Sequence, residues 1–81
     1  MIVIDIMNVF CIIGKEFDKE MVIDIIQEEG YKHNFFFNDG YNWDTIKGAI
    51  KIADEVWTFG DCKGIREYKY AKENSDCWIM G

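Results

Sequence analysis

Proline is absent from this chain of 81 residues, arginine occurs once, as Arg66, and histidine once, as His33. Each shortage excludes something. With 9 basic residues against 15 acidic ones and a formal net charge of −6, there is no basic footprint of the kind a phosphate backbone needs, so binding to duplex nucleic acid is not expected. A lone histidine between Lys32 and Asn34 supplies no Ser-His-Asp arrangement and reads as a surface or strand-edge residue. The three cysteines, Cys11, Cys62 and Cys77, are odd in number and form no Cys-x-x-Cys pair. That pattern suggests neither a disulfide framework nor a zinc site, and points to free thiols in a reducing compartment. No apolar run is long enough to span a bilayer. The N-terminal one is interrupted by Asp5 and preceded by no basic residue, so neither a membrane segment nor a secretory signal is expected, and the expected location is the cytoplasm. The lack of proline beside abundant Ile, Lys and Asn is a composition of AT-rich genomes, viral ones among them.

What remains is strongly apolar. The chain is 49% hydrophobic and 16% aromatic. A single domain of this length, residues 1–81, buries only a modest core. The surplus either packs a dense aromatic interior or covers a contact with further copies, a homodimer or a higher assembly. No repeat, linker or low-complexity segment divides the chain.

Periodicity gives an alternating order. Met1 to Ile6 reads as a buried strand, and Met7 to Gly14 as either a hairpin extension or a packed loop. Lys15 to Glu29 reads as an amphipathic helix with Phe17, Met21, Val22, Ile25 and Ile26 on its core face and Gly30 as its C-cap. Asn34 to Phe37 is an aromatic strand closed by the turn residues Asn38, Asp39 and Gly40. Its Phe35-Phe36-Phe37 run must send rings to both sheet faces. Asn42 or Asp44 can cap a second helix, with Trp43, Ile46, Ala49, Ile50 and Ala53 on one side. Glu55 to Phe59 is a strand, Gly64 to Asn74 a helix and Cys77 to Met80 a last strand. The order β-α-β-α-β-α-β predicts an α/β fold of the Rossmann/flavodoxin-like, three-layer kind: a four-stranded parallel sheet, order 2-1-3-4, with right-handed crossovers and helices on both faces. An open sheet edge again favours pairing with another copy.

In such a sheet, ligands bind beyond the carboxyl ends of the strands at the switch in strand order. That rule gathers Asp5, Met7 and Asn8 after the first expected strand; Asn38, Asp39, Gly40 and Tyr41 after the second; and Gly60, Asp61, Cys62, Lys63 and Gly64 after the third, with Arg66 and Glu67 in the helix beyond. Gly60 and Gly64 allow close backbone approach. A helix start can hold an anion, and Arg66 can add a bidentate contact. Glu67 sits in the first turn, where the helix dipole favours a carboxylate; its plain reading is a surface acid complementing that dipole. Cys62, a thiol near a helix start, invites comparison with low-pKa cysteines, although no base pairs with it. Tyr41 and Trp43 begin a helix near this region and are the better candidates for stacking on a base; Trp57 and Trp78 lie within strands.

The stretch Ala53-Asp54-Glu55-Val56-Trp57-Thr58-Phe59-Gly60-Asp61, followed by Gly64-Ile65-Arg66-Glu67-Tyr68-Lys69-Tyr70-Ala71, resembles the C-terminal half of the nucleoside 2-deoxyribosyltransferase-like superfamily. The similarity runs over residues 52–80. It implies a nucleotide or nucleoside derivative as the small-molecule partner, no cofactor, and Glu67 as the sugar-holding or nucleophilic carboxylate, because Ala71 follows it by four residues as in the family. Asp61 then falls where family loops meet the ligand. Gly64 precedes Glu67 by three residues where the family has four, and Cys62-Lys63 stand in place of the family's loop serine. A second stretch, Ile2-Val3-Ile4-Asp5-Ile6-Met7-Asn8-Val9-Phe10, is similar to the first strand of PIN/NYN nucleases, which gather carboxylates around a divalent metal; Asp5, Asp39 and Asp61 would be the acids.

Four expectations follow. The leading one is a binding protein that captures or sequesters a small nucleotide or nucleoside, with no residue assigned to a metal. The others are an N-glycosidic bond-cleaving or deoxyribosyl-transferring enzyme built on Glu67, a metal-dependent nuclease, and a homo-oligomeric assembly protein.

Overall fold

The computed structural model describes residues 6–74 and 78–80. Its elements are β1 (Asn8–Ile13), α1 (Lys19–Glu29), β2 (Asn34–Phe37), α2 (Trp43–Ile52), β3 (Glu55–Phe59), α3 (Arg66–Asn74) and β4 (Trp78–Met80). The α/β alternation and the parallel pairing agree with the sequence reading. Hydrogen bonding follows the order β2-β1-β3-β4. Val9 lies beside Phe35 on one side and Glu55 on the other, and Phe10 beside Phe36 and Val56. The short β4 runs parallel beside β3, with Glu55 opposite Trp78.

The first described strand is β1, Asn8–Ile13. Residues 1–5, Asp5 among them, lie outside the described residues, and the segment read as hairpin or loop is the central strand. The reason is burial. A strand flanked on both edges and covered on both faces must be apolar at every position. Val9, Phe10, Cys11 and Ile12 are all fully buried. At the strand's start the Asn8 N–H donates to Asp54 Oδ2 at 2.8 Å, and the Asp54 N–H donates back to the Asn8 carbonyl at 2.7 Å. This reciprocal pair fixes β1 against the entrance to β3.

Side chains of β1 alternate between two clusters. Phe10 and Ile12 join Val56, Ile46, Ile50, Ala53, Cys62 and Ala71, so α2 and α3 cover one face. Val9 and Cys11 join Val22 and Ile26, so α1 covers the other. The phenylalanine run divides as expected, Phe36 to the first cluster and Phe35 and Phe37 to the second. Burial pushes the Cys11 thiol up to about 12.

Helix boundaries follow their caps. The Asp18 side chain accepts from the Met21 N–H at 2.9 Å, so α1 starts at Lys19, four residues later than expected. Gly30, at φ 75°, closes it, with Gly30 and Tyr31 N–H groups donating to Gln27 and Ile26 carbonyls. Asn42, not Asp44, caps α2, its Oδ1 accepting from the Thr45 N–H at 2.8 Å. Part of the expected apolar stripe on α1 is not core: Met21 is 44% exposed and Ile25 36%, and Ile25 lines a groove with Tyr31 and the half-buried Trp57 and Phe59. No helix among the described residues is long and apolar enough to cross a membrane.

Phe10→Ala is expected to destabilise the fold by about 3–5 kcal/mol in urea denaturation, and Met21→Ser to change it by less than about 0.5 kcal/mol. The Cys11 thiol holds its proton more tightly folded than unfolded. Its contribution to stability is therefore complete below pH 9 and lost as pH rises from there towards about 12. Cys11→Ala should flatten that part of the alkaline stability profile, read by thermal melts at successive pH values.

Candidate functional site

The carboxyl ends of β1, β2 and β3 open onto three loops: Gly14 to Asp18, Asn38 to Asn42, and Gly60 to Ile65. In the order β2-β1-β3 the chain leaves β1 for one side of the sheet and returns on the other, so the switch in strand order lies between β1 and β3.

The first and third loops are knit together. The Gly14 N–H donates to the Phe59 carbonyl at 2.7 Å, extending the β1–β3 ladder by one bond. A Cβ at Gly14 would stand 2.8 Å from that carbonyl oxygen and 3.0 Å from the Asp61 carbonyl oxygen. Backbone on the far side cannot give way, so only glycine fits. Gly60 turns the chain at φ 82°, and the Glu16 carboxylate arrives beside it to accept the Asp61 N–H at 2.9 Å. Asp61 Oδ1 accepts in turn from the Lys63 N–H at 3.2 Å, an Asx turn that leads into α3. Lys15, Glu16, Asp61, Gly64 and Ile65 line a cleft of about 220 Å³ between the two loops. Its polar groups are of both signs: one ammonium and two carboxylates.

This geometry revises the first loop. Asn8 lies at the opposite end of β1, where its N–H meets Asp54 and its Oδ1 accepts from Asn34 Nδ2 at 3.3 Å. Asp5 lies outside the described residues. The residues that β1 delivers to the site are Gly14, Lys15 and Glu16, which sequence reasoning passed over. The signal was present: an uncharged apolar run, Asn8 to Ile13, ending in a glycine.

Other expected residues are spread around the rim. Cys62 is buried at 3% exposure, its S–H directed to the Ile12 carbonyl at 3.4 Å. Burial raises its thiol pKa, with the Asp61 and Glu16 carboxylates adding to the effect, so the helix start does not make it a thiolate. It is a core residue rather than a ligand contact. Lys63 lines a separate groove on the outside of α3 with Tyr68, Lys69, Lys72 and Glu73. Asp39 and Asn38 border a recess with Ile13, Phe17, Asp18 and Lys19. Tyr41 lines an apolar cleft with Phe36, Phe37, Ile46 and Ile52, between β2 and α2. Trp43 is occupied: the Arg66 guanidinium stacks 3.9 Å from its ring centre, and Tyr70 meets it edge-on at 5.4 Å.

No family model, curated protein or solved structure matches this chain.

Glu67 is buried at 7% exposure on the same side of α3 as Ala71, which packs under the sheet. Its Oε1 lies 3.3 Å from Arg66 Nη2. It does not line the cleft between the Gly14 and Gly60 loops. Among the described residues, no group of three or more His, Cys, Asp or Glu stands ready to hold a metal. Of the acids that the nuclease-like motif implies, Asp39 follows β2 and Asp61 follows β3, and Asp5 lies outside the described residues.

Gly14→Ala should destabilise the protein by about 1–3 kcal/mol, because overpacking against backbone has no cheap relief. Gly48→Ala, in α2 with open space around its Cα, should stabilise it by about 0.5–1 kcal/mol. Paired urea titrations of the two variants read both.

Proposed function

We propose that this chain is a small nucleotide- or nucleoside-derivative-binding protein, with the ligand seated in the cleft between the Gly14 and Gly60 loops. The observation that carries the reading is the junction itself, in which two glycine turns meet at the switch between β1 and β3. Ligands in open parallel sheets gather there. The finer description of the fold, a Rossmann/flavodoxin-like three-layer domain on a four-stranded sheet, belongs to the same proposal. So does the ligand class, which rests on the similarity of residues 52–80 to the deoxyribosyltransferase-like superfamily.

The polar lining selects within that class. Glu16 and Asp61 offer carboxylate oxygens, which accept hydrogen bonds and repel phosphates, while Lys15 is the one cation lining the cleft. Sugar hydroxyls and base N–H groups are the donors that suit them. The reading therefore favours a nucleoside, or a nucleotide with its phosphate turned towards Lys15 or Arg66. Capture without turnover is favoured over catalysis, because Glu67 does not line the cleft. Sequestration of a nucleotide signal suits such a binder.

Native mass spectrometry of the chain mixed with nucleosides, nucleotides and cyclic nucleotides tests this. A retained nucleoside is expected, with Asp61→Ala lowering its affinity by about 1.5–3 kcal/mol, the range for a hydrogen bond to a charged group. Absence of any adduct across the panel overturns the proposal. The second reading, N-glycosidic cleavage through Glu67, rests on the burial of that carboxylate one turn from Ala71. It predicts free base in the mixture, abolished in Glu67→Gln while the ligand is still bound.

A further inference from the structure

Among the described residues, β2 pairs only with β1, and no strand covers its outer edge. Edge strands in monomers carry a charge, a proline or a bulge that discourages pairing with another chain. Asn34-Phe35-Phe36-Phe37-Asn38 has no charge and no proline. The Asn34 N–H donates inward to the Met7 carbonyl at 2.9 Å, and the Ile13 N–H donates to Asn38 Oδ1 at 3.3 Å. In a parallel ladder, alternate residues of a strand use both backbone groups on one neighbour. Asn34 and Phe36 therefore turn their N–H and C=O to β1, and Phe35 and Phe37 turn theirs outward.

This edge matches itself. The segment reads the same in both directions about Phe36, and the residues flanking it are opposite in kind: Lys32 and His33 before, Asp39 after. We propose that two copies of the chain join along β2, antiparallel, about a two-fold axis at Phe36, giving one continuous sheet through both. In that register Phe35 faces the partner's Phe37, so the outward N–H and C=O groups exchange four hydrogen bonds. Lys32 comes near the partner's Asp39, and His33, whose Nδ1 accepts the Met7 N–H, turns its Nε2 side to the same carboxylate, a pairing made twice by symmetry. Any other antiparallel register loses either the hydrogen bonds or the charge match.

The side chains beside the edge fit the same partner. Tyr41 is 58% exposed and Ile52 61%, two of the most exposed large apolar side chains described. Both line the apolar cleft of about 260 Å³ that Phe36 and Phe37 share with α2. On the two-fold axis, Phe36 of each copy stands next to the other and the two clefts adjoin, covering Tyr41 and Ile52. The net charge of −6 on each copy opposes association only through a long-range field that salt screens within about 10 Å at 0.1 M.

Sedimentation velocity of the full chain over a dilution series is expected to give a reversible dimer. Asp39→Lys, which sets a like charge against Lys32 and removes the acceptor beside His33 at both ends of the contact, should raise the dissociation constant about tenfold. Adding His33→Asp should recover most of the loss. Cross-linking reads the register directly. Asn34 faces the partner's Asn38, whereas within one strand the two lie roughly 13 Å apart. The double variant Asn34→Cys/Asn38→Cys should therefore form a covalent dimer under a mild thiol oxidant such as diamide, and neither single variant should. Thermal melts by circular dichroism establish that each variant is folded. A folded monomer at every concentration overturns the proposal. So does a dimer that is indifferent to Asp39→Lys and fails to cross-link, which would place the contact on another face, such as the groove beside Ile25 and Trp57.

Discussion

The close contact between the end of β1 and the turn after β3 is the constraint on which the rest of the molecule depends. The hydrogen bond from the Gly14 N–H to Phe59 carries the ladder past the last strand residue. It draws Glu16 onto the Asp61 amide. That bond in turn sets the direction in which the chain enters α3, and so the burial of Ala71 against Phe10 and Ile12. At the other end of the same pair of strands, the Asn8–Asp54 exchange fixes the register. The central pair of strands is thus pinned at both ends by polar contacts, and between them Val9 to Ile13 of β1 carry no polar side chain except the weak thiol of Cys11.

Most of the element order could be read from the amino acids, because capping and turn residues are explicit. Gly30, Asn42 and the Asn38-Asp39-Gly40 turn punctuate the chain where the sequence says they should. The first strand could not be placed, since Met1 to Ile6 and Asn8 to Ile13 are both apolar and β-prone. What marks the central strand is its two-sided burial, and burial is a property of the whole sheet. That one displacement carried the site with it. The third loop was assigned to the right strand end, while the first was assigned to the wrong end of β1. Cys62 and Trp43 were misjudged for a different reason. Each has a chemistry that suits a site, but the packing of α3 takes Cys62 into the core and holds Trp43 under Arg66.

The lining of the cleft also separates this chain from the usual phosphate cradle. Glycine turns and a helix start are features that anion sites share, yet here carboxylates stand on both loops. A protein of net charge −6 with acids at the mouth of its cleft repels free polyanions at a distance. Selectivity would then come from hydrogen-bond donors on the ligand rather than from its charge.

The position of β1 in the sheet also governs the order in which the chain can assemble. β1 precedes both of its neighbours in the chain: β2, which ends at Phe37, and β3, which ends at Phe59. Parallel neighbours are never adjacent in sequence, so each pairing must close a long loop before it gains a hydrogen bond. Until Phe59 has been synthesised, the most apolar strand of the protein has one bare flank, and neither Gly14 nor Glu16 has its counterpart. A chain that has reached only β2 therefore lacks β3 as the second flank of β1, and the burial that β1 has in the finished sheet is completed only with the third strand.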